Sequence, residues 1–411
     1  MTDLYDLVIV GAGASGVFTA INFKQKCPNA KVVIIEKSNK SLSKVKISGG
    51  GRCNVTHNCF STSDLIKNYP RGGKKLKNIF SQFGVKDTFN FFETRNVPLK
   101  IETDGRVFPQ SNSSQSIIDC FTNELEKLNI AIKFQHDFID FEKKGDVFDI
   151  KIKDKPSIKS HFLQIAIGGM NKLQNFDFLA DKYFKIAAPI PSLFTFNLKE
   201  KTGITDLMGI SKENVAIKII GNKETINGSI LITHWGFSGP AVLKLSSLYA
   251  IELFNKQYEY QVAINWVNPH NFEQLKNQVF PLDSNKKLVN TSFENISKRL
   301  WLFLLQKAEI EENDIWNQLS KKKINKLAEV LSNDIYEMKG KTTFKDEFVT
   351  CGGVELEEVD LKTFESKKIK HLYFSGEVLN IDAFTGGFNF QAAWSGGFAV
   401  ANDIAKKSEV K

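Results

Sequence analysis

The sequence predicts an α/β fold in which a Rossmann-like nucleotide-binding domain is interrupted by an inserted β-barrel domain and a small helical domain. Three observations lead there. First, Leu7-Val8-Ile9-Val10 runs directly into Gly11-Ala12-Gly13-Ala14-Ser15-Gly16, a Gly-x-Gly-x-x-Gly set between an apolar strand and an amphipathic helix. Second, another apolar run, Lys31 to Ile35, ends on Glu36. Third, beyond Pro189 and Pro191 the texture changes to short alternating segments and then to helical periodicity, and the strand-and-glycine pattern returns only near residue 350.

Each element has a physical reason. Gly11 permits a tight turn, Gly13 leaves room for a pyrophosphate against the backbone, and Gly16 lets the helix sit close on the strand. The phosphates then meet the unpaired N–H groups and the positive end of that helix, with Ala14 and Ser15 in its first turn. Glu36, followed by Lys37, is placed to accept both hydroxyls of an adenosine ribose, which fits NAD or FAD and would repel the 2′-phosphate of NADP. Lys40 to Thr56 reads as a loop, and its consecutive Gly49, Gly50 and Gly51 imply close backbone contact with something polar. Asn112 to Lys127 reads as a helix capped by Ser114, with Ile117, Ile118, Phe121, Leu125 and Leu128 on one face. Strands are expected at Ile130 to Phe134, Val147 to Ile152 and Phe162 to Ile167, the last closing on Gly168-Gly169, a second turn able to pass the cofactor.

The alternating segments Ser192 to Leu198, Val215 to Ile220, Ser229 to Thr233 and Tyr258 to Ile264 suggest a small antiparallel sheet or barrel. Ser238-Gly239-Pro240 resembles a helix start capped by Ser238. From about Pro269 to Met338 the pattern is helical, and Phe344 to Thr350 reads as one returning strand. Leu372-Tyr373-Phe374 then leads to Gly376-Glu377, and a closing helix opens at Asn389. The expected divisions are 1–190 and 351–411 for the nucleotide domain, 191–268 for the barrel, 269–338 for the helical domain and 339–350 for the returning barrel strand.

Bulk properties narrow the classes. The 411 residues suggest two or three domains. A net charge of +9 raises nucleic acid as a partner, but the lysines are scattered, the longest run being Lys321-Lys322-Lys323, which argues for a solvated basic surface. The five cysteines are odd in number and lack Cys-x-x-Cys spacing, against a disulfide framework or a redox dithiol. No leader and no membrane span are seen, so a cytoplasmic protein is expected. Neither metal-ligand spacing nor a nucleophile elbow occurs. The oligomeric state is not legible.

At Ser48-Gly49-Gly50-Gly51-Arg52-Cys53-Asn54 the chain resembles a bacterial family of FAD-dependent, often called NAD(P)/FAD-dependent, oxidoreductases that includes aminoacetone oxidases and bile-acid 4,6-reductases. Gly105-Arg106-Val107-Phe108-Pro109, Thr233 to Pro240, Val349 to Val354, and Gly376 to Leu379 with Thr385 to Gln391 match it in order. The resemblance implies FAD as cofactor, with NAD(P)H as a candidate electron donor entering the same cleft. It implies that Lys44, Ser48, Gly49, Gly50, Gly51, Arg52, Cys53 and Asn54 line the flavin side, that Gly376 and Glu377 reach the ribityl and phosphate part, and that Gly386, Gly387, Asn389 and Gln391 sit beside the isoalloxazine. A helix N-terminus at Asn389 favours negative charge at the N1 edge of that ring. Two departures stand out: Met170 to Ala188 lacks the family's glycine- and threonine-rich loop, and Leu42-Ser43 replaces a Gly-Arg before Lys44.

Hydride transfer needs positioning, a dry cleft and, for many substrates, one proton donor. His234 is the leading candidate donor, the competing reading being a histidine bonded within a structural turn. Arg106 reads either as an anchor for an anionic substrate or as a salt-bridge arginine. Cys53 reads as a packed small residue. The expected function is hydride transfer between flavin and a small organic substrate, by amine oxidation with O2 or NAD(P)H-driven reduction of an activated double bond. The alternative is a flavoprotein that modifies or binds RNA, suggested by the charge.

Overall fold

The structure, a computed structural model, describes residues 4–291, 293–342 and 349–409. It forms two compact units, one from Met1–Pro191 with Lys345–Lys411 and one from Ser192–Phe344.

In the discontinuous unit the apolar run becomes β1 (Leu4–Val10), whose last four residues are buried. β1 pairs in parallel with β2 (Val32–Ile35) on one side and with Lys155–Ile165 on the other. Ala131–Lys133 extends the sheet beyond β2, and Leu372–Phe374 joins in parallel beside Leu163–Ile165. The strand expected at Phe162 starts earlier, at Lys155, because its first half pairs antiparallel with Val147–Ile152, which in turn pairs with Phe138–Lys144. That last strand escaped the sequence reading: it lies at the sheet edge, and its charged residues follow one another in Glu142-Lys143-Lys144.

Helix α1 (Ala14–Lys26), expected to be amphipathic, is instead buried continuously from Ser15 to Phe23, its polar Ser15, Thr19 and Asn22 included. Such a helix needs cover on both faces. Gly16 packs onto Ile9 of the sheet, and the closing helix Phe388–Glu409 lies against the other face. A Cβ on Gly397 would stand 2.8 Å from the Ser15 carbonyl, so only glycine permits this approach. Four buried polar side chains cross the seam. The Ser15 and Ser375 hydroxyls meet at 2.6 Å, Gln164 donates to Ser375 (2.6 Å) and Thr19 (2.9 Å), and Thr19 donates to the Gly397 carbonyl at 3.1 Å. Below them Phe18 touches Phe91 and Trp394 at ring separations of 4.6 and 5.4 Å, contacts worth about 0.5–1.5 kcal/mol each beyond area burial.

Three local expectations change. Helix Ser114–Lys127 is capped by Ser113, whose hydroxyl accepts from Gln115 N–H, while Ser114 turns inward and donates to the Lys46 carbonyl. The Lys40–Thr56 loop contains a helical turn from Ser43, broken where Ser48 becomes extended and Gly49 and Gly50 turn left-handed. Helix Pro240–Leu248 is capped by Gly239 at φ +95. The Ser238 hydroxyl instead accepts from Thr195.

The inserted unit is a closed six-stranded barrel in the order Thr195–Leu198, Gly236–Ser238, Thr225–Ile232, Ser211–Ile219, Glu259–Asn265 and Asp334–Thr342. The closing strand therefore begins at Asp334, inside the span read as helical, rather than at 339. Of the return expected at 344–350, residues 344–348 lie outside the described residues, and Thr350–Val354 pairs with Ile186–Pro191 in the other unit's own two-stranded sheet. The inward face of the closing strand carries Asp334, Tyr336 and Met338, and an inward acid broke the apolar alternation. Asp334 is held by Lys307, Trp266 Nε1 (2.9 Å) and the Tyr336 hydroxyl (2.6 Å). Burial pushes its carboxyl up from the usual range while Lys307 opposes the shift. Helices Lys298–Lys307 and Lys321–Ser332 bury Leu300, Trp301, Leu304, Leu327 and Leu331 in the same core.

Gly397→Ala is expected to cost about 1–3 kcal/mol through overpacking against the Ser15 backbone. In urea unfolding this appears as an earlier midpoint with unchanged slope; an unchanged midpoint contradicts the tight seam.

Candidate flavin site

Three glycines of the opening turn have distinct steric roles. Gly11 sits at φ +109, and a Cβ there would lie 2.4 Å from the Ala166 carbonyl. One on Gly16 would lie 2.1 Å from the Gly11 carbonyl. Gly13 differs, since a Cβ on it meets nothing within 4 Å. The first two are fixed by protein contacts, and the third faces open space at the N-cap of α1. No side chain caps that helix and no acid stands in its first turn, which leaves its N–H groups for an anion. Ala14 lies at that mouth, while the Ser15 hydroxyl is taken by Ser375.

Glu36 stands beyond β2, its carboxylate accepting from Ala12 N–H (3.0 Å) and Ser38 N–H (2.9 Å). These bonds fix it beside the turn and leave further lone pairs for ribose hydroxyls. Lys37 is exposed next to it. Gly168 is left-handed (φ +77) with open space around it, and Gly376 (φ +76) lies against Ser15. Glu377 forms an ion pair with Lys44 at 2.6 Å, so two segments assigned to the cofactor from opposite ends of the chain do meet. Beside Gly169 the Thr350 hydroxyl is buried with no hydrogen-bond partner among the described residues, a polar atom a bound ligand would satisfy.

The ring side is assembled from two glycine-rich stretches. Gly50 and Gly51 are left-handed with nothing near their missing Cβ atoms. Gly49 instead packs on Phe108. Gly387 (φ +90) comes so close to Thr56 that a Cβ would lie 2.4 Å from its carbonyl. With its amide turned to satisfy its neighbours, Asn54 accepts from Gly387 N–H (3.0 Å) and donates to the Thr56 carbonyl (3.0 Å). Ser48 donates to the Val45 carbonyl, and Arg52 bonds Glu102 at 2.6 Å while lying 4.0 Å over the Phe108 ring.

Several side-chain assignments need correction. Gln391 is fully buried, its oxygen accepting from Thr56 (2.6 Å) and Thr88 (2.9 Å) and its nitrogen donating to Ser395 (3.0 Å), so it braces the helix from inside. The Asn389 amide folds back onto the Ala383 backbone, leaving the helix start itself as the polar group there. Cys53 is wholly buried, and burial pushes its thiol up to about 12, which makes it a packing residue. Arg106 is shared between Asp104 (2.7 Å) and Glu102 (3.4 Å), as its salt-bridge reading expected. His234 lies exposed in the tight turn between Thr233 and Gly236 of the barrel unit.

The sequence reading passed over His57. It stacks on Phe388 at 4.6 Å and touches Gly386 and Gly105, and its buried Nδ1 has no hydrogen-bond partner among the described residues. Burial lowers its pKa from 6.5. The only signal was its position next to the Ser48–Asn54 motif. Among the described residues no group of histidines, cysteines and acids could hold a metal, and no helix is long and apolar enough to cross a membrane.

A glycine turn opening a helix, an acid beyond the second strand and a second glycine pair on the returning helix define an FAD-dependent oxidoreductase. The chain belongs to the HI0933-like family: residues 5–181 match its Rossmann domain and residues 190–349 its barrel and H2TH domain. It is 29% identical over 412 residues to the ribosomal RNA dihydrouridine synthase of Escherichia coli K12, covering 98% of this chain and 99% of that one. It is 25% identical over 413 residues to the 3-dehydro-bile acid delta(4,6)-reductase of Clostridium scindens, covering 97% and 98%. In fold it is similar to the 3-ketosteroid-delta4-(5alpha)-dehydrogenase of Rhodococcus jostii RHA1, with a TM-score of 0.53 at 10% identity, covering 98% and 97%.

Two measurements check the site. Gly13→Ala is expected to fold with a nearly unchanged apoprotein midpoint but to bind FAD at least about tenfold more weakly, as a roughly 1.4 kcal/mol loss, whereas Gly11→Ala destabilises the fold itself; equal FAD titrations for Gly13→Ala and the native chain reject the placement. For His57, the lowered folded pKa means that the unfolded chain binds protons first as pH falls through 6.5. Stability is therefore lost as pH drops below that value, and His57→Gln should flatten this part of the pH–stability curve.

Proposed function

We propose that this chain is an FAD-dependent reductase that saturates the C5=C6 bond of a uridine in ribosomal RNA. The observation that carries the reading is similarity to the Escherichia coli dihydrouridine synthase over nearly the whole of both chains. The chemistry is consistent with the other relative. Uracil C5=C6 is conjugated to C4=O, and the double bonds of a 3-dehydro delta(4,6) bile acid are conjugated to a carbonyl. Uracil takes hydride at C6, β to C4=O, and a proton at C5, and the dienone takes hydride at the β or the vinylogous δ carbon and a proton at a carbon α or γ to its carbonyl. Net charge alone does not choose between RNA and a small molecule, and the higher identity to the dihydrouridine synthase, 29% against 25%, supports RNA.

When bound, FAD supplies a two-electron carrier that accepts and donates hydride, with NAD(P)H as the proposed source of electrons. The chain's residues hold and orient. The start of α1 receives the pyrophosphate, an interaction with the helix end worth about 0.3–1 kcal/mol when exposed and up to about 2 when partly buried. Glu36 takes the ribose, the Lys44–Glu377 pair lies toward the ribityl part, and Gly50, Gly51, Gly386 and Gly387 let the backbone approach a flat ring. His234, exposed in its turn, is the proposed proton donor to C5, since an imidazole can act as a general acid.

The test is anaerobic incubation of the FAD-loaded protein with NADH or NADPH and ribosomal RNA from a strain lacking the gene, followed by nucleoside mass spectrometry. Appearance of dihydrouridine at a defined site is expected, and His234→Ala should slow it with FAD content unchanged. Rapid reduction of a small conjugated enone with no change in the RNA would replace this reading with the second one, a small-molecule reductase, which the 25% relative favours.

A further inference from the structure

An aromatic-and-basic surface lies on the discontinuous unit away from the glycine turns. Five lysines from three distant stretches, Lys143 and Lys144, Lys182, and Lys368 and Lys370, line one open groove of about 630 Å3. The carboxylates that share it, Asp140 and Glu142, are engaged by Lys182 (2.6 Å) and by Lys151 (2.5 Å). Lys368 is paired with Glu358 at 2.6 Å, Lys144 reaches Glu142 at 3.6 Å while three-quarters exposed, and Lys370 has no acid partner among the described residues. With Lys151 and Glu358 counted, six cations against three acids leave the groove basic.

At its rim stands Tyr183. Its side chain is 85% exposed, and its ring makes no aromatic contact among the described residues. The backbone there is left-handed (φ +60), a conformation a bulky residue seldom adopts. That turn sends successive aromatics in opposite directions: Phe184 goes into the core beneath Lys368, and Tyr183 goes out beside Lys182. Lys368 also donates to the Tyr183 carbonyl, which ties the ring's backbone to the groove wall. From Lys370 the chain runs through Leu372–Phe374 to Gly376, six residues or roughly 20 Å away.

We propose that this groove holds a single-stranded stretch of the RNA substrate, with phosphates against its lysines and an unstacked base on Tyr183, several nucleotides from the uridine being reduced. An exposed ring that stacks with nothing is a platform for any base, and lysines at the groove wall track a backbone of phosphates. A duplex offers no free base face, so the partner is an unpaired stretch. The inference rests on the RNA reading above.

The experiment uses the FAD-loaded full chain and a fluorescent oligouridylate of about 12 nucleotides, a length within the usual site sizes, with affinity measured by anisotropy across salt concentrations. Tyr183→Ala should weaken binding about tenfold while Tyr183→Trp retains it. Lys144→Gln with Lys370→Gln should flatten the log–log salt dependence by about 1.4, about 0.7 for each phosphate no longer neutralised. Melting temperature and flavin content should match the native chain in all variants. If the native chain binds the RNA and the variants bind it identically, the groove is wrong and the RNA reading stands. If the native chain binds no RNA while reducing a small enone, both fall. Tighter binding to polyglutamate than to oligouridylate overturns the groove in favour of an acidic protein partner.

Discussion

The close approach of α1 to the closing helix holds the discontinuous unit together. It brings Ser15 onto Ser375 and Thr19 onto Gly397, pairs more than 350 residues apart along the chain. Because a Cβ at Gly397 would meet backbone, the distance between the helices is set by a missing side chain rather than by adjustable packing. Buried hydroxyls at such a seam are costly unless paired, and the Ser15–Ser375–Gln164–Thr19 chain pairs them. Once α1 is fixed, its N-terminus is fixed too, and with it the place where phosphates would bind. The ring side depends on the same helix pair, since Gly387 can only reach Thr56 if the closing helix is seated.

Most of this was legible where sterics leave one solution. Gly11 and Gly16 follow from clashes that any side chain would produce, and the pattern strand, glycines, helix, strand, acid encodes those clashes directly. Backbone roles were therefore easier to read than side-chain roles. Gln391 lies one helical turn past Gly387 and was read as facing the ring, but a long amide on a helix can face either way, and three neighbouring hydroxyls hold it inside. The barrel's last strand was hidden because Asp334 occupies an inward position that apolar alternation expects a hydrophobe to fill. Of its partners, Tyr336 lies two residues along the same strand, but Lys307 and Trp266 come from distant parts of the chain, and no local window contains them all.

Surface features were the least legible. The lysines scattered along the chain gave no run, yet residues near 143, 182 and 369 converge once the strands are placed. Tyr183 carries no sequence mark that separates it from Phe178 or Phe184, and only the left-handed turn decides which aromatic points outward. Sequence proximity is a poor guide to a charged surface because sheet order, not chain order, sets its neighbours.

The interrupted order of the discontinuous unit has a consequence for biosynthesis. At translation speeds of about 5–20 residues per second, the roughly 160 residues between Pro191 and the returning strands take on the order of 8–30 s to emerge. During that interval α1 has most of its sheet but not the closing helix, so part of its buried stretch from Ser15 to Phe23 lacks its final cover. The barrel can meanwhile finish on its own, since all six of its strands lie within one continuous stretch of chain. The nascent protein is thus most prone to aggregate with its second unit complete and its first one open.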